Sequence, residues 1–226
     1  MEEDIDYSSV PPFLREVIKD KYLDVRAGEW DIEIPSMMLE SESSFPIVWA
    51  IEMLQKFVAA FPWASYRTLK VGVSGEDTVS WSNREIPLDE WLNSLAKNGR
   101  DCDGVWATLD LTLAWVTSHQ KSGEAIFPSS GKVWFQVCSD KNILCGFLTI
   151  WPNVFTNEIE AYQGGWDNTL VPFHSAARIN RARLRKSLRE WEQLCAGQIV
   201  VWSGELVETG VERYGFAEDA KHVTYV

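Results

Sequence analysis

Val105-Trp106-Ala107-Thr108-Leu109-Asp110-Leu111-Thr112-Leu113-Ala114-Trp115 is the stretch that decides the fold. Its odd positions are all apolar, and Thr108, Asp110 and Thr112 alternate with them. Successive side chains of an extended chain point to opposite faces, so this period of two describes a strand with one face in a core and the other toward water. The next two runs, Lys132–Ser139 and Ile143–Trp151, are apolar on both faces and flank the turn Ser139-Asp140-Lys141-Asn142. They read as a hairpin at the centre of an antiparallel sheet that is covered, at least in part, on both sides.

Working outward, Trp30-Asp31-Ile32-Glu33-Ile34 alternates apolar and acidic residues. It predicts a half-buried strand with Asp31 and Glu33 exposed together on its outer face. Arg67 to Val73 reads as a strand that turns at Ser74-Gly75-Glu76-Asp77 and returns through Trp81, and Gln198 to Trp202 reads as a final strand followed by a Ser203-Gly204 turn and an acidic tail. Helices are expected after Pro11-Pro12 (Leu14, Val17, Ile18 and Leu23 inward), from Ser44 and Pro46 to Pro62, from Pro87 to Lys97, and from Ser175 to Gly197. In the second of these, Ile47, Ile51, Leu54, Val58 and Phe61 form the stripe. Trp49, Met53 and Phe57 widen it, as in a buried central helix. Pro152 to Pro172 reads as a long irregular loop around Gly164-Gly165-Trp166-Asp167. Helices and strands mix without strict β-α-β alternation, and no repeat or linker interrupts them. The expectation is a single α+β domain over residues 1–226, a largely antiparallel sheet packed by several helices.

The chain carries a formal net charge of −12 over 226 residues. That charge disfavours polyanions, so neither nucleic acid nor a membrane surface is an expected partner, whereas a basic protein would be attracted. Residues 1–42 hold twelve acids and four bases, and residues 175–195 hold six bases and two acids. The longest mostly apolar stretch, Phe45 to Phe61, is broken by Glu52, Gln55 and Lys56 and is no spanning helix, and the acidic N-terminus lacks a secretory pattern. Cys102, Cys138, Cys145 and Cys195 have no zinc-ligand spacing. A four-residue loop would pair position 138 with 143 and 136 with 145. Cys138 and Cys145 are then not directly opposite, and free thiols in a reducing cytoplasm are expected.

No motif fixes a catalytic site, and no cofactor is expected. His119 and His174 could serve a small hydrolase with a nearby carboxylate, but neither stands in a recognisable nucleophile setting. Arg178, Arg181, Arg185 and Arg189 form a stripe on the last helix, beside the apolar face of Ala177, Leu184, Leu188, Trp191 and Cys195. It suits a phosphate or carboxylate grip, an acidic partner of a scaffold module, or pairing with the chain's own acids. Asp101-Cys102-Asp103-Gly104 is an incomplete calcium loop and reads as a polar turn. Among the twelve tryptophans, Trp49, Trp91, Trp106, Trp115 and Trp191 sit inside periodic elements and read as core; Trp63, Trp81 and Trp166 sit at turns and read as possible anchors.

Length, acidity and the spread of aromatic residues, with Trp30, Trp49, Gly164-Gly165-Trp166 and Trp202-Ser203-Gly204-Glu205 among them, give the chain its resemblance. It resembles the immunity proteins of bacterial polymorphic-toxin and type VI secretion systems, in particular the α+β family paired with restriction-endonuclease-type toxins. The resemblance implies binding rather than catalysis. The partner would be a cognate effector toxin, met in the cytoplasm, with Asp31, Glu33, Glu158, Glu160, Trp166 and Asp167 as the interface candidates.

Overall fold

The computed structural model describes residues 26–39, 43–75, 77–82, 86–97, 101–116, 122–138, 140–151, 154–155, 158–162, 168–172, 174–204 and 207–222. The alternation at Val105 becomes strand β5 (Asp101–Val116), followed by β6 (Ser122–Cys138) and β7 (Ile143–Ile150) in an antiparallel meander. Strand β1 (Gly28–Met38) pairs with β7, and β10 (Gln198–Ser203) pairs with β1. On the other flank β3 (Ala64–Val73) pairs with β5 and β4 (Val79–Ser82) with β3, while the short β2 (Phe45–Pro46) adds to β5. The result is one eight-stranded antiparallel sheet in the order β10-β1-β7-β6-β5-β3-β4. With helices α1 (Ile47–Ala60), α2 (Leu88–Ala96) and α3 (His174–Cys195), this is the expected α+β class.

Several expectations change. Asp101-Cys102-Asp103-Gly104 is the start of β5, not a turn, because β2 and β3 both pair there. The stretch expected as irregular forms a separate hairpin, β8 (Glu158–Tyr162) with β9 (Asn168–Pro172), and the acidic tail forms another, β11 (Val207–Glu212) with β12 (Gly215–His222). The helix expected after Pro12 lies outside the described residues. On α1 the buried side is Ala50, Met53, Leu54, Phe57 and Ala60, whereas Val58 is exposed; the apolar stripe is rotated from its expected centre, and the helix is amphipathic rather than buried all round.

All three helices cover the same face of the sheet. Trp191 of α3 is fully buried and meets Phe57 and Phe61 around α1 edge-on, with ring centroids at 5.7 and 6.0 Å, and Phe135 of β6 at 6.3 Å. Tyr66 of β3 donates a 2.7 Å hydrogen bond to the Leu54 carbonyl of α1, and Trp91 of α2 packs on Trp81 of β4. The register places Trp30, Leu148, Val133, Ala107, Leu69 and Trp81 in one row across the sheet, all on this covered side and all buried. Asn180, fully buried on α3, locks the helix to the sheet: its amide oxygen accepts from the Ala114 N–H, and its nitrogen donates to the Ala114 and Val154 carbonyls.

Glu192, near the end of α3, gathers three elements. Its carboxylate accepts from Arg213 at 2.5 Å, Tyr214 at 2.6 Å and the Ile199 N–H at 2.6 Å. Burial alone would push this carboxyl up, but the hydrogen bonds from Tyr214, Arg213 and Ile199 outweigh it and hold it below its ordinary value. A depressed carboxyl contributes stability above its unfolded value and loses it as pH falls through the folded one. Glu192→Gln is therefore expected to cost about 2 kcal/mol at pH 7. Denaturant unfolding at stepped pH should show the gap to wild type closing below about pH 4.

The hairpin register is the one its turn length demands, Cys138 opposite Ile143 and Gln136 opposite Cys145. The expectation of free thiols there is nonetheless overturned: Cys138 and Cys145 are joined by a disulfide. These diagonal neighbours share one face of the hairpin, and their Cα atoms lie 5.9 Å apart, within the span of a disulfide. The bridge closes a short loop already held by the ladder, so reduction is expected to cost about 2 kcal/mol or less, read as a lower melting temperature with reductant and no change in far-ultraviolet dichroism.

Candidate functional site

Among the described residues, helices cover one face of the sheet; the other carries a second set of side chains, set by the same register. One row crosses it from edge to edge: Val201, Asp31, Phe147, Trp134, Trp106, Lys70 and Ser80. In this row Val201 and Lys70 are exposed, Trp106 is 37% exposed, and Asp31, Phe147 and Trp134 are half-buried. Trp134 and Phe147 stack at 4.9 Å between centroids with an interplanar angle of 9°. Trp106 lies flat on the sheet because Gly104 and Gly72 leave room for it: a Cβ at Gly104 would come within 2.8 Å of the ring, and one at Gly72 within 3.3 Å. Three large rings thus form a platform on an open sheet face, where polar side chains are the rule.

The charges on this face are largely matched in place. Arg26 pairs with Glu29, Lys141 with Glu33 at 2.5 Å, and Arg67 with Asp110 at 3.4 Å, where Asp110 also accepts the Ser129 N–H at 2.8 Å. Lys132 lies over the Trp151 ring at 5.9 Å. Asp31 differs. Its Oδ1 is shielded from solvent without a hydrogen-bond partner. Burial first, then the neighbouring Glu29, push its carboxyl up to about 6, against a smaller lowering by Arg26. A desolvated carboxylate beside an aromatic platform is the strongest electrostatic irregularity on the open face.

The sequence-derived candidates divide. Asp31 and Glu33 do share a face, as the alternation predicts, but they are half-buried rather than exposed, because β1 is an interior strand flanked by β7 and β10. Glu158 and Glu160 lie on β8, opposite Pro172 and Leu170, in the separate hairpin and away from the main sheet's ladder. Trp166 and Asp167, like His119, fall outside the described residues, and His174 is the first residue of α3. Of the turn tryptophans, Trp63 and Trp81 are buried and are core: their indole N–H groups donate to Ser187 Oγ at 2.9 Å and to the Ile86 carbonyl at 2.7 Å. Trp106, expected in the core, is the exposed one. Its even position in the Val105–Trp115 alternation already put it on the outer face.

The arginine stripe is largely engaged within the chain. Arg181 is buried and donates to the Phe155 carbonyl at 3.0 Å, Arg185 donates to the Phe216 carbonyl at 3.5 Å, and Arg189 lies over the Tyr214 ring at 5.1 Å; Arg178 is exposed. A groove of about 350 Å³ beside Trp63, Thr112 and Lys186 is crossed by the Arg183–Glu124 pair. Both free cysteines, Cys102 and Cys195, are buried, and burial pushes their thiols up to about 12, so neither is a thiolate nucleophile at neutral pH.

A scan against protein-family models found no match, and searches of curated proteins and of solved structures found none either. The platform is therefore read from its own chemistry. A carboxyl raised on folding binds its proton more tightly in the native state, so its contribution is most favourable below its unfolded value and is lost as pH rises from about 4 to about 6. Asp31→Asn is expected to stabilise the chain at pH 7 by about 1 kcal/mol, allowing for its half-open setting. Thermal melts should show that advantage disappearing at pH 4.

Proposed function

We propose that this chain is a binding protein that engages a protein partner on the open face of its sheet. The single observation that carries the reading is the row Phe147, Trp134 and Trp106, three rings on a face that no helix among the described residues covers. Tryptophan and other large rings dominate the energetics of protein interfaces when a partner completes their burial, and a rigid sheet presents them at little cost in entropy. The role of the partner follows from the resemblance to immunity proteins: an effector toxin, nuclease-type, that this chain neutralises by covering it. Net charge favours such a pairing, since a protein at −12 attracts a basic nuclease-like surface and speeds its encounter. Cytoplasmic placement belongs to the same proposal.

The test pairs capture with protection. Wild-type protein and the double variant Trp106→Ala/Trp134→Ala are used as bait in lysate of the source cells, and any protein held by wild type alone is expressed in a sensitive host. The reading predicts growth arrest by that protein, relief by co-expressed wild type, and affinity for the double variant lower by roughly a hundredfold. Equal capture and equal relief by the double variant would remove the platform from the interface.

A further inference from the structure

Resting on that reading of the open face, we infer that it contains a cation subsite, in which an arginine of the partner sets its guanidinium against Asp31 and lays its plane over the Phe147–Trp134 stack. Position comes first. Asp31 and Phe147 are direct cross-strand partners, as are Phe147 and Trp134, so carboxyl and rings are consecutive in one row. Directly opposed residues have Cβ atoms about 5 Å apart, the spacing at which a guanidinium meets a carboxylate at its edge and an aromatic ring on its face.

Charge complementarity selects the occupant. Glu29 and Glu33 already hold Arg26 and Lys141. The strands on either side of Asp31, β7 (Ile-Leu-Cys-Gly-Phe-Leu-Thr-Ile) and β10 (Gln-Ile-Val-Val-Trp-Ser), bring no ionisable group to it, Cys145 being in the disulfide. Among the described residues, the charged groups around it are thus Arg26, Glu29 and the Glu33–Lys141 pair. None of them gives Asp31 Oδ1 a hydrogen bond, and since that oxygen is shielded from solvent, a guanidinium meets the half-buried carboxyl from its outer side. A carboxylate in this setting gains more from an incoming cation than one in water, because much of its desolvation has already been incurred. A planar guanidinium suits the site better than an ammonium, since it stacks on rings while its edge donates to the carboxylate.

The probe is acetyl-arginine amide, with acetyl-citrulline amide as its neutral isostere, titrated into the ¹⁵N-labelled chain at pH 7.5. Expected are saturable shifts at the Asp31 and Phe147 amides and the Trp134 indole N–H, with citrulline binding about tenfold or more weaker. Asp31→Asn, which is not expected to impair folding, should lose the preference for arginine; Glu52→Gln, on the exposed side of α1, should retain it. Lowering the pH from 7.5 to 5 should weaken arginine binding as Asp31 takes up its proton. Equal binding of arginine and citrulline, or unaltered arginine binding by Asp31→Asn, would overturn the subsite. The titration needs no partner, so its outcome is separable from that of the capture experiment: loss of partner binding in Trp106→Ala/Trp134→Ala with no arginine preference keeps the face and removes the subsite.

Discussion

The seating of Trp191 between Phe57, Phe61 and Phe135 is the contact on which the rest of the molecule depends. It joins α1, α3 and the central strand β6 in one apolar cluster, and Asn180, about three turns toward the start of α3, fixes the helix with two buried hydrogen bonds to Ala114 of β5 and a third to the Val154 carbonyl. Rings that meet edge-on tolerate little sliding, and a buried amide tolerates none without leaving a donor or acceptor unmatched. Together they decide which face of the sheet the helices cover. The identity of the open face is a consequence of that choice.

Much of this was legible in the sequence. The alternation in Val105–Trp115 gave a one-sided strand, the turn at Asp140-Lys141 gave the register of β6 with β7, and the apolar side of α3 (Ala177, Leu184, Leu188, Trp191, Cys195) is the buried one. What was not legible depended on pairing between distant residues. Asp31 and Glu33 could be placed on a common face from local alternation, but their partial burial required β10, some 170 residues later, to close the edge of β1. The disulfide depended on how close two diagonal positions come, which register alone does not give.

The platform departs from expectation for a physical reason. β6 and β7 are apolar on both faces, and the physical rule is that such strands are covered on both. Among the described residues, helices cover only one. The surplus apolarity of Trp134 and Phe147 is then unexplained by the fold, and surplus of that kind on an open face is where a partner is sought. Element type alone makes the turn tryptophans the anchors, whereas position within the alternation is the better guide for Trp106 and places it outward; Trp63 and Trp81 satisfy their indole nitrogens inside.

Gly72 and Gly104 carry the same argument from the backbone. Glycine weakens a strand interior, and both are in paired positions of β3 and β5 where a larger residue would strengthen the ladder. Each instead clears the space in which the Trp106 ring lies flat. On the neighbouring row of the same face Asp31 holds a carboxylate where desolvation opposes its charge. Two glycines and one strained acid are local concessions that do nothing for the helix-covered core. Concessions concentrated on two adjacent rows of one face are the pattern expected where a surface is shaped for something outside the chain, because stability alone would have replaced all three.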